Sequence, residues 1–244
     1  IQIWEDPEKF NPNSGNNRYV APACKNFATF VSCDGFGEQA EYMRNGMNFK
    51  MLQNNVNRIL EETDNSTITF INTFNLLSLT SLQEYLQWIL ELRDKYAKDR
   101  QGIKYIPIPD NGGHKHPDYE VRPKQRIWFD IPLLRAPLWQ CIQIMPDYYQ
   151  SYLEEAIAFM EMNQANEEHI DYRGFKDFEI EKVKRNLEIM KGGNNIDRNK
   201  MYKARANFYK FFKQHDQRRN TDFLNTFPEM EDWWEICEEA DALL

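Results

Sequence analysis

Residues 27–60 read FATFVSCDGFGEQAEYMRNGMNFKMLQNNVNRIL: an apolar strand that breaks at Ser32-Cys33-Asp34-Gly35 and leads into an amphipathic helix. From Phe49 the apolar positions Phe49, Leu52, Val56, Ile59 and Leu60 keep helical spacing until the turn cluster Thr63-Asp64-Asn65-Ser66. The pattern then repeats. Residues 67–74 (TITFINTF) are β-branched and aromatic, as a buried strand requires. Ser81 and Glu84 have the spacing of a capping box before a helix whose Leu82, Tyr85, Leu86, Ile89 and Leu90 share one face. Strand–helix–strand–helix alternation predicts an α/β chain with a parallel sheet and right-handed crossovers.

Two more extended segments follow, 103–108 and 126–134, separated by the turn Pro109-Asp110-Asn111-Gly112-Gly113. Pro132 and Pro137 restrict the second to an edge strand or a loop. Pro146 opens a helix over about 147–163, carrying Tyr149, Leu153, Ile157 and Met160. Beyond it the chain is charged and helical, over about 175–191 and 197–215, with a short helix after Pro228. A soft boundary near 145 divides 1–145 from a helical extension over 146–244. Residues 1–26 carry Pro7, Pro12 and Pro22 and a polar run from Asn11 to Asn17, which is loop chemistry. Ile1-Gln2-Ile3-Trp4 reads as the remnant of a preceding strand. A start without Met suits an excised domain, a partial reading frame or a removed tag.

Composition narrows the function classes. The 244 residues allow one or two domains with a substantial core, and 14% aromatics argue against disorder. No run approaches the roughly 18 apolar residues of a membrane span, so no membrane partner is expected. A net charge of −8 argues against nucleic acid, whose phosphates need a concentrated positive surface. Clusters such as Lys182-Lys184-Arg185 are diluted by acids and read as solvated helix faces. Cys24, Cys33, Cys141 and Cys237 match no zinc or ferredoxin spacing. They read as buried, reduced thiols of a cytoplasmic protein.

The chemistry-bearing residues concentrate at strand ends. Ser32 and Asp34 project to one side of their strand, Cys33 to the other. A hydroxyl beside a carboxylate there suits a ribose diol or an amino group, or else Ser32 caps a turn that Asp34-Gly35 makes. Gly35-Phe36-Gly37 lacks the third glycine of a dinucleotide loop and reads as a turn. Arg44 follows Tyr42 and precedes the helix-ending Asn45-Gly46. Its guanidinium suits either a ligand carboxylate or Asp34 itself. Asn72, Thr73 and Asn75 lie at the end of the next strand, facing a ligand or satisfying local backbone. His114-Lys115-His116 lacks a third ligand and is not assigned a metal. No G-x-S-x-G, H-E-x-x-H or P-loop occurs, and no catalytic residue is assigned.

Taken together, Ser32-Cys33-Asp34-Gly35 and Tyr42-Met43-Arg44-Asn45-Gly46 resemble the strand-four signature and YxR-x-G segment of radical S-adenosylmethionine (radical SAM) proteins with a twitch domain, many of them phage-encoded. Further landmarks follow in the same order: Asn55-Val56, Thr73, Leu76 to Leu82, Arg135-Ala136-Pro137-Leu138, Met145-Pro146, Asp216-Gln217-Arg218-Arg219 and Phe227-Pro228-Glu229. The likeness covers about 27–96 and 126–232. It implies the later strands of a partial (β/α)6 TIM-type barrel, followed by a smaller, mainly helical extension with a short strand or hairpin. It further implies a [4Fe-4S] cluster that reduces S-adenosylmethionine to a 5′-deoxyadenosyl radical for hydrogen abstraction from an unknown substrate. Ser32 and Asp34 would contact the methionine or ribose part, Arg44 would brace the rim, and Thr73 would lie near adenosine. The C-x3-C-x2-C triplet and the Gly-Gly-Glu of that family are absent. The missing N-terminal half-barrel is expected in roughly 100 or more residues upstream, leaving this chain inactive alone. Two other readings stay open: an interaction module using the acidic tail and Trp233-Trp234 as a docking face, and a barrel enzyme for a sugar or phosphate.

Overall fold

The computed structural model describes residues 27–63, 66–97, 126–165 and 173–244. Expectations for 1–26, Cys24 included, for 103–108 with its following turn, and for His114 and His116 lie outside the described residues.

The described chain is an α/β structure, mostly helical, around a small parallel sheet. Strand β1 (Phe27–Ser32) is followed by α1 (Gly37–Met43) and α2 (Phe49–Glu62). Then come β2 (Ser66–Ile71), α3 (Leu82–Ala97) and β3 (Ile127–Asp130). The strand order is β1-β2-β3, with both pairings parallel: Ser32 faces Ile71, and Ile71 faces Asp130. All three carboxyl ends therefore lie along one rim. The remaining helices are α4 (Gln150–Met162), α5 (Asp177–Lys191), α6 (Arg198–Arg219), the single turn α7 (Phe223–Thr226) and α8 (Glu231–Ala242).

One sheet face is core: Ile68, Phe70, Ile127 and Phe129 are buried beneath Tyr85, Trp88 and Ile89 of α3. Edge-on ring contacts lock it, with Phe70 4.9 Å from Trp88. The opposite face carries Phe30, Ser32, Thr67, Thr69, Ile71, Trp128 and Asp130, none of them buried. Phe30 is 68% exposed. Parallel sheets are normally covered on both faces, so this arrangement is unusual.

Two guanidinium groups hold the layers in place. Arg126, just before β3, donates to the carbonyls of Leu60, Thr63 and Ser66 and to the Ser66 hydroxyl. It thereby satisfies carbonyls at the end of α2 that have no intrahelical partner. Arg93 of α3 makes a bidentate pair with Glu179 of α5 at 2.6 and 3.0 Å, and both side chains are at most 2% exposed. It also donates to the carbonyls of Ile127 and Gly174. Strand, crossover helix and extension meet at this one side chain.

Three expectations change in detail. Ser81 does not close a capping box, because its hydroxyl accepts the Phe36 N–H at 3.1 Å. Beyond residue 145 the only strand-like pairing among the described residues is the isolated parallel bridge between Gln164 and Phe175. Trp233 and Trp234 do not form a docking face. Trp233 is fully buried, and Trp234 stacks on Phe223 at 4.7 Å, so both belong to the packing of α8 against α6 and α7. No helix among the described residues is long and apolar enough to cross a membrane.

Candidate functional site

β1 ends at Ser32, and the ladder continues one residue further through Cys33 N–H to Ile71 O at 2.9 Å. The chain must then turn sharply, and Gly35 makes this possible by close approach. A Cβ there would sit 2.6 Å from Met43 Cε and 3.0 Å from Ser81 Oγ. α1 follows at once and ends at Met43; Gly46, with φ of +83°, sits in the left-handed region that suits glycine after a helix.

This turn brings the four sequence-derived residues together. One Asp34 oxygen accepts the Thr73 backbone N–H at 2.8 Å, cross-linking the ends of β1 and β2. Its other oxygen pairs with Arg44 at 2.7 Å. Asp34 and Arg44 therefore engage each other and shape the rim, rather than presenting free charges. Thr73 takes part through its backbone. Ser32 is exposed on the unburied face, and its hydroxyl has no hydrogen-bond partner among the described residues.

The neighbouring polar residues divide clearly. Asn75 accepts the Leu77 N–H and donates to the Thr73 carbonyl, so it is a local cap. Asn72 is fully buried, and neither atom of its amide has a partner among the described residues. The same holds for the Tyr85 hydroxyl and Arg44 Nε. Buried polar groups without partners are costly and uncommon, and these three surround the Asp34 turn. Burial first, then the nearby Cys33 and Asp34, push the Tyr85 pKa well up, so it is a neutral phenol.

Cys33 lies beneath the turn, wholly buried, its thiol donating to the Gly35 carbonyl at 3.2 Å. Burial raises its pKa to about 12, with Asp34 adding to the rise while the Gly35 hydrogen bond and Arg44 oppose it. A thiol buried and held protonated in this way is a poor nucleophile at neutral pH. Among the described residues no group of three His, Cys, Asp or Glu is placed to hold a metal ion.

Sequence reasoning missed how the rim is held from behind. The Tyr42 hydroxyl donates to Asp216 at 2.8 Å, reaching from α1 to α6. The ring fits among His215 at 4.5 Å, Phe227 at 5.3 Å, Phe212 at 6.0 Å and Phe223 at 6.1 Å. Asp216 also accepts the Phe223 N–H and the Thr221 hydroxyl. Gln39, one turn earlier in α1, donates to Glu229 at 2.6 Å. The available signal was Asp216, which continues the buried Phe208 and Phe212 stripe of α6 at four-residue spacing.

Compared with known proteins, the chain matches no family model, no curated protein and no solved structure.

Proposed function

We propose that this chain is the later part of a radical SAM enzyme: strands of a partial (β/α)6 barrel with a helical extension packed against them. The single observation that carries the reading is the convergence of Ser32, Asp34, Arg44 and Thr73 on one carboxyl rim, where alternating barrels place ligand groups. Two further observations support it. The sheet face that would line the barrel's interior is unburied, as expected where further strands complete the wall. The Tyr42-x-Arg44 and Asp216-x-x-Arg219 segments, both part of the resemblance, are joined by a hydrogen bond across 174 residues.

The residues present fit the two implied groups unequally. Ser32, on the unburied face, retains hydrogen-bonding capacity suited to the methionine or ribose part of S-adenosylmethionine. Asp34 and Arg44 would fix the turn that presents Ser32. The iron–sulfur cluster does not fit the described residues, whose three cysteines, Cys33, Cys141 and Cys237, are buried and far apart in sequence. When bound, the cluster and S-adenosylmethionine would supply the radical chemistry; this chain's part is to position and to exclude water.

The test is anaerobic iron–sulfur reconstitution of this chain joined to its in-frame upstream coding sequence, assayed for 5′-deoxyadenosine. Release is expected, with Ser32→Ala weakening S-adenosylmethionine binding. A chain that loads a cluster yet neither binds S-adenosylmethionine nor releases 5′-deoxyadenosine overturns the reading.

A further inference from the structure

Helix α1 lies between the rim and the helical extension and is tied to both. At its end, Arg44 reaches Asp34 at 2.7 Å. Two residues earlier, Tyr42 points the other way, into the aromatic cup, and donates to Asp216 at 2.8 Å. Asp216 is itself fixed: its carboxylate accepts Phe223 N–H at 2.8 Å and Thr221 hydroxyl at 2.7 Å, and its carbonyl accepts the Asn220 and Thr221 N–H groups. Gln39 adds a second tie, accepting from Thr80 while donating to Glu229. The seven-residue helix is too short to hold a position by itself, since isolated helices below about 12 residues are marginal. Its placement comes from these side chains.

We propose that Asp216 is a positioning residue for the rim: by holding Tyr42 it holds the end of α1 and keeps Arg44 on Asp34. The helical extension then sets the geometry of the Ser32–Asp34 turn from the far side of α1. This inference rests on the reading of that rim as a ligand site, but its test needs no ligand.

Cys33 is a built-in reporter, buried directly under the turn and bonded to Gly35. Cys237 of α8, equally buried, reports general loosening of the extension. The experiment measures iodoacetamide alkylation of each cysteine by peptide mass spectrometry in the native protein, Tyr42→Phe, Arg44→Gln, Asp216→Asn and the Tyr42→Phe/Arg44→Gln double variant. Tyr42→Phe keeps the ring in its cup and removes only the hydroxyl. Losing a hydrogen bond to a charged acceptor predicts that Cys33 alkylation rises about tenfold or more in each single variant, with Cys237 changing less than about twofold. The double variant should match Arg44→Gln alone, because residues acting in series are not additive. The proposal is overturned if Cys33 rises only in Arg44→Gln, if the two effects multiply, if Cys33 and Cys237 rise together, or if no variant changes Cys33. Failure here leaves the rim as a ligand site, and failure of the reaction assay leaves this coupling intact.

Discussion

Truncating Glu179 to alanine should be the most damaging single change to this protein's stability. The side chain is fully buried and receives two hydrogen bonds from Arg93, at 2.6 and 3.0 Å, besides the Lys176 N–H at 3.0 Å. Removing it leaves a guanidinium 2% exposed and without its counter-charge. Breaking a buried pair in this way costs about 3–5 kcal/mol, roughly a fifth or more of a typical domain's total stability. Arg93→Met should cost a similar amount, and it also removes the Arg93 bonds to the carbonyls of Ile127 and Gly174. The double variant Arg93→Met/Glu179→Leu should recover part of either loss, since apolar replacement of a buried pair is often near neutral. Recovery will be incomplete, because the double variant also loses the Arg93 bonds to the Ile127 and Gly174 carbonyls and the Lys176 N–H bond to Glu179, each worth about 1.5–3 kcal/mol as a bond to a charged group. Urea unfolding followed by circular dichroism gives the three values by linear extrapolation. Single variants that cost less than about 1 kcal/mol, the scale of an exposed pair, would refute the assignment of this contact as the buried tie between sheet and extension.

Gly174→Ala should also destabilise, for a steric reason. Its Cβ would lie 2.4 Å from Asn163 O and 2.5 Å from Ala165 N, so the bridge between Gln164 and Phe175 must open. Overpacking of this kind costs about 1–3 kcal/mol and should lower the melting temperature by about 2–12 °C; an unchanged melting temperature would contradict the packing described. Alkaline pH should unfold the protein early. Cys33 is raised from 9.0 to about 12, and burial also raises Tyr42, Tyr85, Tyr149 and Cys237. Each holds its proton more tightly when folded, so this stabilisation is complete below pH 9 and is lost as pH climbs towards 12. Cys33 alone accounts for a loss of about 2 kcal/mol by pH 10.5. Urea midpoints should be level from pH 7.5 to 9 and fall beyond it; a flat profile to pH 10.5 would refute the burial of these groups.

The strand–turn–helix order was legible because each element is locally consistent. The apolar run 27–32, the β-branched run from 67 and the Leu82, Tyr85, Leu86, Ile89 stripe each encode one periodicity, and the structure has a strand or helix at each. The gathering of Ser32, Asp34, Arg44 and Thr73 followed from the parallel topology, which places successive strand ends together. What the residues do there was less legible. That Asp34 would be fully engaged by Arg44 and a backbone N–H depends on the path of α1, which Tyr42 and Asp216 set from 174 residues apart. Arg93 and Glu179 carried a readable sign. Arg93 follows Ile89 by four positions and Leu86 by seven, on the buried stripe, and Glu179 precedes Val183 by four on its own. A charge on an apolar stripe requires a buried partner, but only the fold shows which. Ser81 misled because one hydroxyl can serve its own helix or a distant amide, and the tight turn at Gly35 brought Phe36 within reach.

The guanidinium of Arg126 gives the sheet two unequal ends. At the amino end it clasps Leu60, Thr63 and Ser66 at once, pinning where the second strand begins relative to the helix before it. A slip of one residue would surrender several of these bonds and turn Ile68 and Phe70 outward. Registration is thus decided far from Ser32 and Asn72. Substituting Ser32, which faces outward at the opposite end, should therefore leave the register of these strands unchanged.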